Sequence, residues 1–406
     1  MKNGNFGFTF LLISLIVLSF AFIISGCSTS GGGGGTPTPP FAANIWVAAD
    51  GSDTTGTGAY TNPYLTIGKA MSLVGSGEVI GVKDGTYNET VVWPGVMNVT
   101  LRGVSKTGTK IDRNYASRCI SIESVPGIET ATIRDITIKN GSLETSGDGA
   151  GILARQNSII VRISNAAISG NGGPNTGYGG GLCAGTPIGS GGPTVEAINV
   201  SFKNNVGGQW TYGAGACALQ GSQLIMSSCE VSGNVGYNGG VAYLHLSSGT
   251  MENCFVFNNT STSNFGGGGV LLNTTIRTTL MNCTIVSNEA TNGGGGGVDG
   301  GQYGYIINSI IWGNMAAESS KDITTETTAT VKYTNHGTSE FGGATTVSNT
   351  QFNPNFTTFP PATVDDLKLQ AGSPVESLAT DEVTVPVDYY GNPRPAADYS
   401  LGAHEI

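Results

Sequence analysis

Residues Met251–Asn259 read MENCFVFNN, and the same frame returns as LMNCTIVSN at Leu280–Asn288 and IINSIIWGN at Ile306–Asn314. Upstream it is ISNAAISGN at Ile163–Asn171, AINVSFKNN at Ala197–Asn205 and MSSCEVSGN at Met226–Asn234. Every copy ends on Asn and carries an apolar residue three places earlier: Ile168, Phe202, Val231, Val256, Ile285 and Ile311. Successive copies lie 34, 29, 25, 29 and 26 residues apart, so a constant frame alternates with loops of changing length. This is the pattern of a solenoid, in which each repeat buries its apolar side only against its neighbours.

The columns of the frame are homogeneous. The first position is apolar (Ile163, Ala197, Met226, Met251, Leu280, Ile306), and the fourth is small or medium (Ala166, Val200, Cys229, Cys254, Cys283, Ser309). Gly runs and β-branched residues inside the repeats argue against a helical solenoid. The expected fold is all-β: a right-handed, single-stranded parallel β-helix. Equivalent residues in such a stack lie about 4.7–4.9 Å apart, and a carboxamide offers both a donor and an acceptor. The third position holds Asn165, Asn199, Ser228, Asn253, Asn282 and Asn308. Its five asparagines are the expected buried structural ladder.

A few residues beyond most terminal Asn comes a Gly pair: Gly180-Gly181, Gly239-Gly240, Gly268-Gly269 and Gly296-Gly297, with Gly213-Ala214-Gly215 as a variant. Each precedes a β-rich stretch such as Val241-Ala242-Tyr243-Leu244, and glycine admits the positive φ of a tight corner. Gly-Gly-apolar followed by apolar-x-x-Asn resembles the repeats of chlamydial polymorphic outer-membrane proteins over about residues 165–314. The resemblance implies an adhesin-like role at a cell surface. No secreting barrel follows the repeats, so the secretion route is not carried over.

Composition supports repetitive β structure. There are 64 Gly in 406 residues, and only 11% of residues are charged, against about 25% in an ordinary globular domain. Val, Ile and Thr recur throughout, unlike in disordered chains. The net charge of −10 has no basic cluster in sequence to offset it. Phosphate backbones repel such a surface, so nucleic acid is not an expected partner. A monomer is expected.

The N-terminus reads as an address. Lys2 precedes a charge-free, mainly apolar run from Phe8 to Ile24, followed by Ser25-Gly26-Cys27. The Ser-Gly-Cys ending resembles the lipobox of bacterial lipoproteins. It implies cleavage before Cys27, lipidation of the Cys27 thiol, and a place in the bacterial cell envelope, at the outer membrane or cell surface. Gly31 to Gly35 and Thr36 to Pro40 then form a flexible, extended tether. The expected organisation is a signal peptide at 1–26, a tether at 27–43, an N-terminal cap and first coil at 44–93, coils at 94–320 and a closing region at 321–406.

The two ends carry resemblances of their own. Trp46-Val47-Ala48-Ala49-Asp50-Gly51, Pro63-Tyr64-Leu65-Thr66-Ile67 and Val82-Lys83-Asp84-Gly85-Thr86-Tyr87 resemble the opening segment of exported β-helix proteins, polysaccharide lyases among them. Thr66 is placed to cap a short helix with Ile67, Ala70, Met71 and Val74 on its apolar face. The tail, with Gly372-Ser373-Pro374, Gly391-Asn392-Pro393-Arg394 and Gly402-Ala403-His404-Glu405, resembles the choice-of-anchor type Q region, although Asn353 and Ser377 stand where that family has Asp. Arg394 with Asp398 or Glu405 is expected to form a structural ion pair.

Three groups of residues bear on function. Six cysteines (Cys119, Cys183, Cys217, Cys229, Cys254, Cys283) follow Cys27; they are expected as small buried thiols, because side chains pointing in parallel from stacked strands suit a disulfide poorly. No spacing suggests a metal site or cofactor. The lyases that the first coil resembles typically hold Ca²⁺ on acidic residues and use a basic residue to abstract a proton, so Ca²⁺ enters only under that alternative. The repeats carry no acid cluster, and Asp299, alone in an apolar column, is expected to face solvent. The charge-rich stretch lies earlier, with Asp135 and Arg162 as weak catalytic candidates. Finally, Tyr178, Trp210, Tyr212, Tyr237 and Phe265 occupy equivalent loops on successive coils, and rings in line offer stacking faces to sugars. The leading expectation is a non-enzymatic surface lipoprotein that binds glycans or other surfaces. A β-helix polysaccharide lyase or hydrolase, or a structural spacer, are the alternatives.

Overall fold

The computed structural model describes residues 38–123, 129–155, 157–186, 191–208, 211–264, 266–319, 321–383, 385–395 and 399–406. From Ile45 the chain winds as a right-handed parallel β-helix. One sheet of ten strands runs from Val91–Val92 to Ser339–Phe341. A second runs from Ile45–Val47 to Thr345–Val347, and a third from Gly85–Tyr87 to Asn335–His336. The second and third are joined, because Ile160–Ser169 and Thr194–Lys203 pass through the corner as single strands. A short fourth sheet of four strands runs from Val235–Gly236 to Met315–Ala316. The repeat frame sets the register: Ile163 pairs with Ala197, Ala197 with Met226, Met226 with Met251, Met251 with Leu280 and Leu280 with Ile306. All of these side chains are fully buried in one continuous core. The helix Ile67–Met71 closes the first coil; the Thr66 side chain caps it by accepting from Lys69 N, and Ile67, Ala70 and Met71 face the core.

The buried amide ladder stands in a different column from the expected one. It consists of the terminal Asn of each frame. Asn171 Nδ2 donates to Asn205 Oδ1 at 3.0 Å, Asn205 to Asn234 at 2.9 Å, and Asn234 to Asn259 at 2.8 Å. Asn259 donates to Asn288 at 2.9 Å and Asn288 to Asn314 at 3.0 Å. Each Oδ1 also accepts the backbone N–H of the preceding Asn, as Asn234 Oδ1 does from Asn205 N at 2.9 Å. Each Nδ2 gives its second proton to a backbone carbonyl, as Asn205 does to Ile168 at 3.0 Å. The chain ends on a carboxylate: Asn314 donates to Asp322 Oδ1 through Nδ2 at 2.8 Å and through its backbone N at 2.9 Å.

The third-position column is homogeneous for a backbone reason. Asn165, Asn199, Ser228, Asn253, Asn282 and Asn308 form the corner between the second and third sheets, with φ of 46°, 54°, 50°, 51°, 50° and 52°. Asn tolerates this left-handed conformation better than other residues with a side chain. Asn199 donates to Asn165 at 3.3 Å and Asn165 to Asp135 at 2.8 Å, and no such bond links Asn253, Asn282 and Asn308. The glycine pairs are explained by the ladder too. A Cβ on Gly151, Gly181, Gly215, Gly269 or Gly297 would lie 2.3–2.8 Å from the next coil's carbonyl oxygen and 2.6–3.2 Å from a ladder carboxamide. Positive φ falls one residue before the pair, at Gly179, Gly267 and Gly295.

The coils continue past residue 320, through Ile323–Thr325, Thr330–Lys332 and Thr345–Val347. The remainder leaves the stack of coils. It returns along the outer face of the third sheet, where Phe356, Leu367, Leu369, Val375 and Leu401 cover Phe255, Phe257, Val286 and Ile310. Corner asparagines hold this strap: Asn253 Nδ2 donates to Val387 O at 2.6 Å, and Asn308 Nδ2 to Thr380 O at 2.8 Å. Arg394, its side chain 1% exposed, pairs with Glu405 at 2.8 Å and donates to Asn253 Oδ1 at 3.2 Å. Asp398 lies outside the described residues. Asn282, between Asn253 and Asn308, is fully buried without a partner for either amide atom.

Two measurements test this account. Replacing Asn259 with Leu strips partners from Asn234 and Asn288, at about 1–3 kcal/mol per buried group, so the urea midpoint should fall by several kcal/mol equivalents. Asn199→Gly, exposed and at φ 54°, should stay within about 0.5 kcal/mol of the wild type; the reverse order would put the ladder in the corner column. The second concerns Asp322, whose carboxyl is pushed up to about 6 by burial, against hydrogen bonds from Asn314, Gly337 and Thr338. A carboxyl raised in the folded state binds its proton more tightly there than in the unfolded chain. Its contribution is therefore greatest below the ordinary value of 3.8, declines as pH rises to about 6, and is flat above. We expect Asp322→Asn to remove a decline of about 3 kcal/mol across that window, read as the difference between the two proteins in stability-versus-pH curves.

Candidate functional site

The tyrosine column forms, but its rings face one another. Tyr178 and Tyr212 stand on neighbouring coils with centroids 5.7 Å apart and planes inclined by 17°. Tyr237 meets Tyr212 edge-on at 5.0 Å. Tyr178 and Tyr212 also rest on an apolar cluster outside the first sheet, with Leu153, Cys183, Cys217 and Leu244. Burial pushes both phenols above their ordinary value. The spacing of coils is close to the separation at which rings stack, so identical rings in one column satisfy each other. Tyr212 has a ring against it from the coil before and the coil after, and no face-on platform for a sugar forms there. Trp210 and Phe265 lie outside the described residues, as does Cys27. The six described cysteines are buried free thiols.

Asp135 and Arg162 are not brought together as a reacting pair. Asp135 sits at the corner, where its Oδ2 accepts from Arg102 Nε at 2.9 Å and Arg134 Nε at 3.0 Å, and its Oδ1 from Asn165 at 2.8 Å. Arg162 points outward from the second sheet and pairs with Glu196 at 2.9 Å. Among the described residues no three Asp, Glu, His or Cys side chains converge on one point. Calcium takes six to eight oxygens, commonly several from carboxylates. The described residues do not fit it.

The turns between the first and second sheets form a groove that the repeat frame does not mark. Three successive turns, 272–277, 301–305 and 326–330, line two adjoining depressions. One, of about 330 Å³, is bounded by Asn273, Thr275, Gln302 and Glu326. The other, of about 180 Å³, is bounded by Arg277, Tyr303, Tyr305 and Thr328. The Arg277 guanidinium lies 3.8 Å over the Tyr305 ring, and Tyr303 is 39% exposed. Asp299, two residues before the Gly301 that lines the first depression, is half-buried rather than fully facing solvent and accepts from Gly301 N at 3.2 Å. Burial pushes its carboxyl up to about 6, with the Glu326 charge adding to the rise and the Gly301 bond opposing it. The groove thus combines an exposed ring, a held guanidinium, amides, hydroxyls and the Glu326 carboxyl. Tyr303 and Tyr305 are visible in sequence, but what aligns them is the stacking of three loops that share no motif.

No family model matches this chain, and no curated protein matches it. Solved structures do. A pectate lyase, Pel9A, superposes with a TM-score of 0.54 at 14% identity, covering 88% of this chain and 95% of that one. XylC in complex with xylose gives a TM-score of 0.36 at 11% identity over 88% and 98%. A pectin methylesterase from carrot gives 0.36 at 14% over 72% and 90%. What the pectate lyase shares with this chain is the fold.

The ring column leads to a direct expectation. Tyr212→Leu removes two ring contacts worth about 0.5–1.5 kcal/mol each. It should lower the unfolding midpoint by about 1–3 kcal/mol and leave glycan retention unchanged. Retention that falls while the midpoint holds would restore the column as a sugar platform.

Proposed function

We propose that this protein is an exported lipoprotein, anchored at the bacterial cell envelope through Cys27, whose β-helix binds polysaccharide without cleaving it. The observation that carries the reading is the groove lined by Arg277, by Tyr303 and Tyr305, and by Thr328 on three consecutive turns. The exposed Tyr303 ring takes the apolar face of a pyranose, while amides and hydroxyls exchange hydrogen bonds with its hydroxyls and the guanidinium donates to their oxygens. The groove runs along the solenoid axis, so successive turns address successive sugars of one chain. The lyase alternative loses support because Asp135 and Arg162 are each closed in ion pairs. The hydrolase alternative draws on Asp299 beside Glu326, one carboxyl held up and one exposed, the pairing a glycosidase uses.

The test is affinity electrophoresis of the full chain through a panel of immobilised polysaccharides, followed by Tyr303→Ala against each ligand that retards it. We expect the substitution to weaken retention about tenfold, or ~1.4 kcal/mol, with an unchanged unfolding midpoint. Retention indifferent to Tyr303 would remove the groove from binding. Release of reducing ends from a retarded ligand, abolished by Glu326→Gln, would replace the binder with the hydrolase.

A further inference from the structure

The outer face of the third sheet is divided. Its C-terminal part lies beneath the strap; its N-terminal part carries half-exposed lysines. Lys110 and Asp112 stand on one strand, in register with Thr137 and Lys139 on the next. Those pair with Ala167 and Ser169, then with Ser201 and Lys203, then with Glu230 and Ser232. These positions alternate with core residues along the strands; those from Lys110 to Lys203 are half-buried, while Glu230 and Ser232 are buried. Lys106, from the loop before this sheet, joins them. Its backbone carbonyl accepts from Thr137 Oγ1 at 2.6 Å, and its Nζ reaches Ser201 Oγ at 3.5 Å. The side chain therefore runs along the axis, from the coil of Thr137 to the coil of Ser201. Four lysines from positions 106 to 203 are gathered within a few coils, in a chain whose net charge is −10.

The acids on this face are already engaged. Glu230 receives Lys203 at 2.7 Å on Oε2 and the Ser232 hydroxyl at 3.0 Å on Oε1. Asp112 receives Lys139 at 3.7 Å and the Asn140 amide at 2.9 Å. With Lys106 and Lys110 the face keeps two positive charges beyond these pairs, with the exposed carboxylate of Asp84, which accepts from Ser105 and Thr109, set against one of them. Around the corner, Arg102 and Arg134 share the single carboxylate of Asp135 and add a third. Burial and the charge of Lys203 both press the Lys106 ammonium towards its neutral form, with Glu230 opposing them, so this lysine gains from an incoming anion.

We infer that the N-terminal part of this face is a second binding surface, for a polysaccharide carrying one carboxylate per sugar. The match is one of charge density. Duplex nucleic acid presents a charge about every 1.7 Å, which would crowd against Asp112 and Glu230. A uronate chain laid along the axis presents its charges at intervals comparable to the coil spacing of about 4.8 Å. It can then meet Lys106, Lys110 and the corner arginines while passing the paired acids. This surface shares no residue with the Tyr303 groove, and the two stand or fall separately.

The experiment uses the full chain, with alginate as the carboxylated probe, dextran as the neutral one and a duplex oligonucleotide as the phosphate probe, at low and moderate salt. The wild type should bind alginate, lose affinity as salt rises, and bind the oligonucleotide at least tenfold more weakly. Lys106→Ala with Lys110→Ala should reduce alginate affinity at least tenfold, and the Lys106→Arg, Lys110→Arg pair should restore most of it. Lys321→Ala, exposed and far along the chain, should have no effect. Circular dichroism keeps a folding defect apart from a binding one. Alginate affinity absent in the wild type, unchanged in the double alanine variant, or exceeded by that for the oligonucleotide would overturn the inference.

Discussion

The Asn ladder is the interaction on which the remaining structure depends. A carboxamide fully removed from water is costly unless its two N–H groups and its oxygen find partners. In this protein the oxygen takes two donors from the coil before, while the N–H groups go to the next ladder oxygen and to a backbone carbonyl. That requirement holds only if each coil sits directly on the last, so the ladder locks the stacking register that apolar contacts alone would leave free to slip. It also dictates the Gly column: the space a Cβ would need is occupied by the ladder amide and a neighbouring carbonyl. Both ends are terminated. Gly141 N donates to the first oxygen, Asn171 Oδ1, at 2.8 Å, and the carboxylate of Asp322 receives the last amide. A carboxylate suits that end because all the amide N–H groups along the column point towards it.

With register fixed from inside, the exterior is left to vary, and it follows a different rule. Residues one coil apart are about 4.8 Å apart whatever their type, so like residues meet. Tyrosines in line stack into a self-contained column, which is why Tyr178 and Tyr212 contribute to stability. Arginines in line share one acid, as Arg102 and Arg134 do at Asp135. Apolar side chains in line, from Phe255 to Ile310, make a greasy stripe that would be exposed without the strap. A binding site on such a body needs unlike residues on successive turns, and the Arg277, Tyr303 and Thr328 turns supply them.

What the sequence made legible follows from this division. The interior was readable because ladder and core columns repeat: register, the apolar columns, the buried thiols and the Thr66 cap all appear where the frame places them. The ladder column itself was misassigned, although the frame held the clue. The terminal position is Asn in every copy, whereas the corner admits Ser228, as a left-handed turn can and a hydrogen-bonded amide chain cannot. The stretch after 320 has one Gly pair, Gly342-Gly343, but its coils lack the apolar-x-x-Asn frame, so they carried no repeat signal. The strap was illegible for another reason. Its contacts join residues more than a hundred positions apart, such as Arg394 and Asn253, and only the stripe of Phe255, Phe257 and Trp312 on outward positions hinted that something must cover it.

Charge shows the same separation most clearly. Along the sequence no basic cluster exists, because Lys106, Lys110, Lys139 and Lys203 are scattered over about a hundred residues and interspersed with acids. A solenoid projects this length onto a few coils, and alternation along each strand selects which charges share a face. Lys110 and Asp112 fall on one face because they are two residues apart; Lys139 and Lys203 join them because their coils are in register. Net charge is thus a poor guide to what such a surface attracts. The relevant quantity is the sum over one face within a Debye length, about 8 Å at physiological salt, which spans roughly two coils. A chain that is acidic overall can therefore present a local cationic surface, and the fold rather than the composition decides where.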